Sequence, residues 1–301
     1  MISVCIPVFN YDVRPLVRAL AAQKNDVDAE VEIICIDDCS TDDSFSLNSE
    51  TGNLCRWIRL EENIGRARIR NKFLKYASGE WMLFLDNDGI IPEGFLQRYV
   101  NVLNDDVQVV VGGRVYDRRD NDEAHALRYR YGVQVESRSS ADRSRNPYRS
   151  FMTNNFLIRR EVLQRIRFDE RLTGYGHEDT LFGFRLLQQG VPILHVDNAV
   201  VNADVEENSV FLAKSEEGVC SLAQVYLFMC GDVSFCQTVR LLSVYRHLQR
   251  LHLTGLAYGP FRLLRRPLRE HFLVGKYFSI SEFNYYKLGL FIESIRKQTI
   301  K

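Results

Sequence analysis

The stretch Trp81-Met82-Leu83-Phe84-Leu85-Asp86-Asn87-Asp88 runs from an unbroken apolar segment straight into two carboxylates. The apolar segment predicts a buried β-strand over residues 81–86. Asp86 and Asp88 then stand where this strand ends, one residue apart. This spacing lets both reach a single hard divalent cation, Mg²⁺ or Mn²⁺, that bridges a diphosphate. A turn that closes the strand is the simpler alternative for the same two residues.

Apolar runs and amphipathic segments alternate around this stretch through the first hundred residues. Such alternation is typical of βαβ units, and it predicts an α/β fold with a mostly parallel, Rossmann-like sheet flanked by helices. Ligands of such sheets bind at the carboxyl ends of the strands, where three polar clusters occur here, so we expect one shared crevice. The predicted strands are 2–8, 31–37, 55–60, 81–86 and 107–112, and the predicted helices are 13–23, 66–76 and 94–103.

The second predicted strand ends in another acidic pair, Asp37 and Asp38. A carboxylate at this position can accept hydrogen bonds from a ribose hydroxyl or a base amide. The alternative is helix capping, because Ser40 or Thr41 followed by Asp43 would begin a helix well. Both roles are compatible, with Asp38 facing a ligand and Ser40 capping the helix.

A basic segment at residues 63–71 begins the next predicted helix with a glycine, Gly65. Arg66 and Arg70 share one face of that helix. Close to two carboxylate clusters, this face could bind phosphate, whereas a solvated helix surface is the alternative.

Glu178 and Asp179 form a third acidic pair, between a glycine-containing loop and a predicted helix at 180–189. A carboxylate held there could act as general base toward an acceptor hydroxyl. The alternative is a favourable interaction of the pair with the helix dipole.

Residues 114–149 separate these motifs from one another. Their apolar periodicity fades, and the segment is rich in Arg, Asp and Ser. It therefore predicts a long surface excursion, of a length that often acts as a functional lid.

Charge is unevenly distributed along this chain of 301 residues, although its formal net charge is zero. Residues 237–301 contain twelve Lys and Arg against three Glu; subtracting these from the totals of 39 and 39 leaves 27 basic and 36 acidic residues before them. The composition, 46% apolar and 26% charged, is that of a globular protein. We predict a first domain over residues 1–215 and a basic, helical C-terminal extension over residues 216–301.

The cysteines and the first residues bear on the compartment. The seven cysteines are odd in number, contain no Cys-x-x-Cys pair and lie largely in apolar runs, so we expect reduced core residues. The sequence opens directly on a strand pattern without a leader or a run of membrane-spanning length. Both features predict a cytoplasmic protein.

The basic extension allows a membrane interpretation. Its arginines interleave with apolar residues, so the segment could lie on the inner face of an anionic membrane near a lipid-linked acceptor. The alternative is a helix that packs on the acidic first domain. The arginines are Arg262, Arg265, Arg266 and Arg269, and the apolar residues are Phe261, Leu263, Leu264 and Leu268.

Taken in this order, the motifs resemble the family 2 glycosyltransferases of the GT-A fold, over roughly residues 1–205. Pro7-Val8-Phe9-Asn10 resembles the family's opening motif beside the nucleobase, and Asp37-Asp38 resembles its uridine-contacting motif. The segment from Gly65 to Arg70 is similar to its helix near the diphosphate, and Asp86-Asn87-Asp88 resembles its DxD element.

The resemblance implies a role for each matching residue. Asp86 would contact the donor ribose or sugar, and Asp88 would bind the metal. Asp179 would be the base, Glu178 would contact the acceptor or donor sugar, and Asn155 would flank the sugar. Pro7, Phe9, Asn10, Asp38, Gly65 and Arg70 would complete the donor site.

The third metal ligand is left open by the resemblance. The family commonly has a metal-binding His after the last strand, where this chain has Asn202. Asn is a poorer ligand than His for these cations. Asp204, His195 or water could complete the coordination.

The implied function is that of an inverting glycosyltransferase. It would move a sugar from a nucleoside diphosphate donor, a UDP-sugar by family expectation, to a saccharide or lipid-linked acceptor in surface polysaccharide synthesis, with Mn²⁺ or Mg²⁺ and no nucleic-acid partner. A nucleotidyltransferase on a similar sheet is one alternative, although the glycine-rich basic opening loop of such enzymes is lacking. A non-catalytic nucleotide-sugar-binding protein is the other, and Asn202 is the residue that favours it.

Overall fold

The computed structural model describes residues 1–117, 122–275 and 277–299. Its strands are β1 (Ile2–Val8), β2 (Val31–Asp37), β3 (Arg56–Arg59), β4 (Trp81–Leu85), β5 (Gly89–Ile90), β6 (Val109–Val111), β7 (Arg114–Tyr116), β8 (Asn155–Arg159), β9 (Ile193–His195) and β10 (Val200–Asn202). Seven of them form the central sheet, in the order β3-β2-β1-β4-β8-β6-β9. The neighbours β3, β2, β1 and β4 are parallel, β8 runs antiparallel to β4 and β6, and β6 is parallel to β9.

Helices follow most strands and cover the sheet, which confirms the predicted α/β class. Strand residues alternate between two apolar clusters: Leu83 and Leu85 of β4 belong to one, and Met82 and Phe84 belong to the other. The helices are α1 (Arg14–Gln23), α2 (Asp42–Ser49), α3 (Gly65–Lys72), α4 (Phe95–Val100), α5 (Ala126–Tyr131), α6 (Ser140–Ser144), α7 (Arg160–Arg165), α8 (Glu178–Gln188), α9 (Asn208–Phe228), α10 (Val233–Thr238), α11 (Arg240–Arg250), α12 (Thr254–Val274) and α13 (Ile280–Thr299).

A second, three-stranded sheet was not predicted from the sequence. Its order is β5-β10-β7, with β10 antiparallel to β5 and parallel to β7. β5 begins at Gly89, directly after the Asp86-Asn87-Asp88 segment, so this sheet extends from the predicted site. Its strands have only two or three residues each, too short for any periodicity to be detected.

The predicted surface excursion at residues 114–149 is wrong for most of its described part. It contains β7, α5, one π-helical turn at Gly132–Glu136 and α6; residues 118–121 lie outside the described residues. Arg143, in the same segment, is 2% exposed, and its guanidinium donates to the carbonyls of Val111, Gly112 and Val196. Its hydrogen bonds to backbone oxygens stabilise the buried position.

The chain divides into two compact units. The first contains both sheets and consists of Met1–Asp117, Glu136–Thr173 and Glu178–Asp204. The second contains the described residues of 122–135 and 205–299, together with Gly174–His177. It therefore begins earlier than the predicted boundary at residue 216, because α9 already starts at Asn208.

Within the second unit, α9, α12 and α13 pack through buried aromatic side chains, among them Phe272 and Phe283. Glu216 of α9 accepts hydrogen bonds from Tyr286 (2.6 Å) and Arg269 (2.9 Å). Across the described helices, none is both long enough and apolar enough to span a bilayer.

Candidate active site

A buried arginine, Arg70, joins two of the predicted acidic pairs. Its side chain on α3 is only 2% exposed. Its Nη2 donates to Asp86 Oδ1 at 3.0 Å, and its Nη1 lies 3.5 Å from Glu178 Oε1. The end of β4 and the start of α8 therefore meet at one guanidinium, although Arg70 and Glu178 are 108 residues apart in sequence.

A second arginine, Arg114 of β7, lies against the other side of the Asp86-Asn87-Asp88 segment. Its Nη2 is 3.2 and 3.3 Å from the two oxygens of Asp88 and 3.8 Å from Asp86 Oδ2. Burial alone would raise the pKa of Asp86, but the charges of Arg70, Arg114 and Arg66 lower it below the ordinary value of 3.8. Asp86 is therefore a carboxylate at neutral pH.

Arg114 was missed by sequence reasoning because it stands at the start of the segment predicted to be a loop. The strand that positions it has three residues. Single arginines in such segments carry no local signal of their partners, so only the tertiary structure identifies this one.

Asp179 lies at the amino terminus of α8, next to Glu178. Burial and the charge of Glu178 raise the pKa of Asp179 to about 6, although Thr180 donates to Asp179 Oδ1 from its backbone N–H (2.6 Å) and its hydroxyl (3.2 Å). A carboxyl group that titrates near neutrality can both accept and release a proton at physiological pH.

Asp38 is bonded within the protein rather than facing an open crevice. Its two oxygens accept the backbone N–H groups of Ile64 (2.8 Å) and Gly65 (3.1 Å), which begin α3. Gly65 has a positive φ of 79°, a conformation that favours glycine. Asp38 thus holds the helix that carries Arg70, and its predicted contact with the nucleoside stays a prediction.

The opening motif forms a turn that is tied to the start of α2. Asn10 has a φ of 46°; its backbone N–H donates to Ser40 Oγ (2.8 Å), and its Oδ1 accepts the N–H of Thr41 (2.9 Å). Of the two residues predicted to cap α2, Ser40 and Thr41, the cap is Thr41; the Ser40 hydroxyl instead accepts from Asn10. Pro7 lies within β1, opposite Ile36 of β2.

Phe9, in the same turn, is an aromatic side chain with 49% exposure. An exposed aromatic ring at the carboxyl end of a parallel strand is a surface on which a planar base can stack. Its predicted nucleobase contact stays a prediction that this exposure permits.

Asn155 does not offer its side chain to a sugar, contrary to the prediction. It is fully buried; its Oδ1 accepts from Tyr99 (2.6 Å), and its Nδ2 donates to the carbonyls of Gly113 (3.0 Å) and Asn198 (2.8 Å). Its neighbour Asn154 receives the N–H of Asp86 on its carbonyl. Within the described residues, the buried Nδ2 of Asn154 has no hydrogen-bond partner, so Asn154 is the better candidate.

The residues present fit a divalent cation only if the donor supplies part of its coordination. Among the described residues, no three His, Cys, Asp or Glu side chains form a group that could hold a metal ion. Mg²⁺ needs only one or two protein carboxylates when substrate phosphates and water complete its shell. Asp88, with a side-chain exposure of 24%, meets that requirement.

The three residues considered as further metal ligands differ in position. Asn202 is buried, and its Nδ2 donates to the carbonyl of Asp204 (2.7 Å). His195 contacts Arg143 (3.1 Å) and the Pro147 carbonyl (3.0 Å), and burial lowers its pKa to about 4. Both ring nitrogens of His195 are therefore engaged by other groups of the protein.

Asp204 follows Ala203, whose backbone N–H donates to the carbonyl of Asp88 (2.8 Å). Burial and the charges of Asp204 and Asp88 raise the pKa of Tyr11 to about 12. Asp204 is therefore the stronger candidate for a second protein oxygen.

Sequence similarity to known proteins identifies the class of enzyme to which the chain belongs. The Bacillus subtilis protein described as uncharacterized glycosyltransferase YfnE is 23% identical over 301 residues, 80% of this chain and 76% of that protein. The GalNAc(5)-diNAcBac-PP-undecaprenol beta-1,3-glucosyltransferase of Campylobacter jejuni is 27% identical over 186 residues, 60% and 58% of the two chains. The chain is a glycosyltransferase.

The solved structures give the fold, and a family profile gives the family. Glucosyl-3-phosphoglycerate synthase from Mycobacterium tuberculosis, solved with Mn²⁺, UDP and glucosyl-3-phosphoglycerate, has a TM-score of 0.52 at 20% identity, covering 74% of this chain and 79% of that one. It shares the predicted GT-A fold. The Glycosyl transferase family 2 profile matches residues 3–167, and the chain belongs to that family.

Removal of the Arg70 charge should destabilise the first unit in a pH-dependent way. Arg70→Met keeps apolar volume but removes the guanidinium that pairs with the buried Glu178 and the partly buried Asp86, so we expect a loss of about 3 kcal/mol at pH 7. The folded-state pKa of Asp86 is lowered, so the stability it contributes is present above pH 3.8 and is lost as the pH falls through its folded value. Urea unfolding at pH 7 and pH 3 should show a smaller loss at pH 3.

The matched control is Arg165→Met, which removes an exposed arginine of α7. It should change the free energy of unfolding by less than about 0.5 kcal/mol. An Arg70→Met loss that is equally large at both pH values would contradict the pairing.

Proposed function

We propose that this glycosyltransferase inverts the anomeric configuration, transferring a sugar from a UDP-sugar to a saccharide or lipid-linked acceptor in surface polysaccharide synthesis. The observation that carries the proposal is the meeting of Asp86 and Glu178 at Arg70, with Asp179 beside them. The end of the cluster at Asp86 is suited to the diphosphate of the donor, and the end at Asp179 is suited to accepting a proton. Single displacement needs these two functions on opposite sides of the sugar.

The chemistry is one displacement at the anomeric carbon. Asp179 accepts the proton of the acceptor hydroxyl while the oxygen of that hydroxyl bonds to the anomeric carbon. The bond from carbon to the diphosphate oxygen breaks, and the electron pair leaves with the nucleoside diphosphate. A divalent cation held by Asp88 would supply positive charge for the departing phosphate. Arg114 lies close enough to Asp88 to act on the same charge.

Different observations support the proposed donor and the proposed acceptor. The solved relative binds UDP and Mn²⁺, and the exposed ring of Phe9 suits a stacked base. The Campylobacter jejuni relative is described as acting on an undecaprenol-linked saccharide. All seven cysteines are free, which suits the cytoplasm, where nucleotide sugars and reduced thiols coexist.

Transfer or hydrolysis of a nucleotide sugar should require Asp88 and Asp179 in different ways. A screen of uridine and other nucleoside diphosphate sugars, with and without Mn²⁺, identifies the donor. Asp179→Asn should then lower the turnover about 100-fold or more with UDP binding retained, because the base is lost. Asp88→Asn should weaken Mn²⁺-dependent UDP binding.

The control is Asp105→Asn, an exposed aspartate in the turn before β6, which should leave both quantities unchanged. Undiminished turnover in Asp179→Asn would refute its assignment as base. A chain that binds UDP-sugars but never turns them over would favour the non-catalytic alternative.

The pH dependence should report the coupling of Asp179 to Glu178. Because the pKa of Asp179 is about 6 and the base must be ionised, kcat/KM for the donor should fall as the pH drops below about 6. Glu178 raises that pKa by its negative charge, so Glu178→Gln should move the acidic limb to lower pH whatever its effect on the maximal rate. An unmoved limb would contradict the assignment.

We also propose a peripheral contact with an anionic membrane through α12. Leu256 and Leu263 are seven residues apart, hence on one face of the helix, and they are 72% and 82% exposed. Arg266 is 89% exposed near them and pairs with Glu270 of the same helix, whereas Arg265 and Arg269 pair with Glu293 and Glu216 of other helices of the unit. Only part of the predicted basic face is therefore directed to a surface.

Leu263→Asp should reduce flotation of the chain with anionic vesicles several-fold, because an apolar contact is replaced by a like charge. Val210→Asp, at a 43% exposed apolar position on α9, is the control and should float like the unaltered chain. Equal flotation of Leu263→Asp and the unaltered chain would exclude α12 as the contact.

A further inference from the structure

Arg114 contacts Asp88, the carboxylate proposed to hold the cation. One nitrogen, Nη2, lies 3.2 and 3.3 Å from both Asp88 oxygens, and the side chain is only 11% exposed. A metal ion that coordinates Asp88 must take one of these oxygens from the guanidinium or share the carboxylate with it.

The three-stranded sheet fixes this arrangement. In β10, Val200 lies opposite Arg114, and Asn202 lies opposite Gly89, the residue after Asp88. The same strand therefore carries a neutral amide, Asn202, where a further anionic or imidazole ligand would strengthen a metal site. The sheet brings a permanent positive charge to Asp88 and adds no ligand from β10 to offset it.

Arg114 is retained there by charge. Its Nε is buried and, within the described part of the chain, has no hydrogen-bond partner. A guanidinium keeps its positive charge at any physiological pH. It is therefore a fixed cation, and a divalent cation beside it meets electrostatic repulsion.

We infer that Arg114 is the resident counterion of Asp88, and that it makes binding of the divalent cation conditional on the donor diphosphate. The diphosphate brings the negative charge that lets the cation and Arg114 occupy the same site. Arg114 can then turn its hydrogen bonds from Asp88 to a phosphate oxygen. The inference rests on the proposed function for the identity of the donor, and it assigns Arg114 a positioning role.

The test measures Mn²⁺ affinity of the full chain by calorimetry, first without and then with UDP. The chain should bind Mn²⁺ weakly without UDP and at least about tenfold more tightly with it. Because the coupling between two ligands is reciprocal, Mn²⁺ should raise the affinity of the chain for UDP by the same factor. Arg114→Gln should bind Mn²⁺ without UDP about tenfold more tightly than the unaltered chain. Arg114→Lys, which keeps the charge, should bind like the unaltered chain.

Arg165→Gln controls for the loss of one positive charge elsewhere in the first unit, and its Mn²⁺ affinity should not change. The inference is overturned if Arg114→Gln gains no Mn²⁺ affinity in the absence of UDP. It is also overturned if UDP binds equally well with and without Mn²⁺ and is lost in Arg114→Gln, since Arg114 would then replace the cation.

A measurement on the unaltered chain covers the case in which Arg114→Gln fails to fold. In protein labelled with ¹⁵N-arginine, the Arg114 guanidinium signals, identified by their loss in Arg114→Lys, should shift with Mg²⁺ and UDP together but not with Mg²⁺ alone. A shift with Mg²⁺ alone overturns the inference. The Mn²⁺ experiment without UDP involves no sugar transfer, so failure of the proposed reaction would leave its result intact and be recognised separately.

Discussion

The site depends on charge compensation between buried groups. Arg70 is almost completely buried and still contacts carboxylates from two distant segments, Asp86 and Glu178. Without the guanidinium, the burial of two negative charges would be strongly unfavourable. With it, carboxylates can gather at the edge of the sheet, and Asp179, which has no ion pair with Arg70, has a pKa raised to about 6 by burial and by the charge of Glu178.

The fold makes this network of ion pairs possible because several strands end at the same edge of the central sheet. The parallel strands β1, β2 and β4 end side by side, and each is followed by polar residues. Asp38 then fixes the start of α3 through the N–H groups of Ile64 and Gly65, and α3 carries Arg70 into the cluster. The small sheet adds Arg114 from the other side. Support for the carboxylates therefore comes from both sheets.

Local patterns were enough to predict β1, β2 and β4, because a short apolar run that ends in polar residues is a signal within ten residues. The family likeness is confirmed by the profile match over residues 3–167. What failed has a common cause. Arg143 and Arg114 resemble solvated arginines in sequence, and Asn155 resembles its neighbour Asn154, so their roles depend on partners far away in the chain. Which residue at the start of β8 contacts Asp86 is decided by strand register, which the sequence does not encode locally.

Anomalous diffraction from crystals of the chain grown with Mn²⁺ and UDP tests the central claim most directly. We expect one strong manganese peak at coordination distance from the Asp88 carboxylate, with the UDP diphosphate bound to it and Asp179 across the space left for the sugar. Manganese and UDP bound together at a place remote from Asp88 and Arg70 would contradict the assignment of this cluster as the catalytic centre.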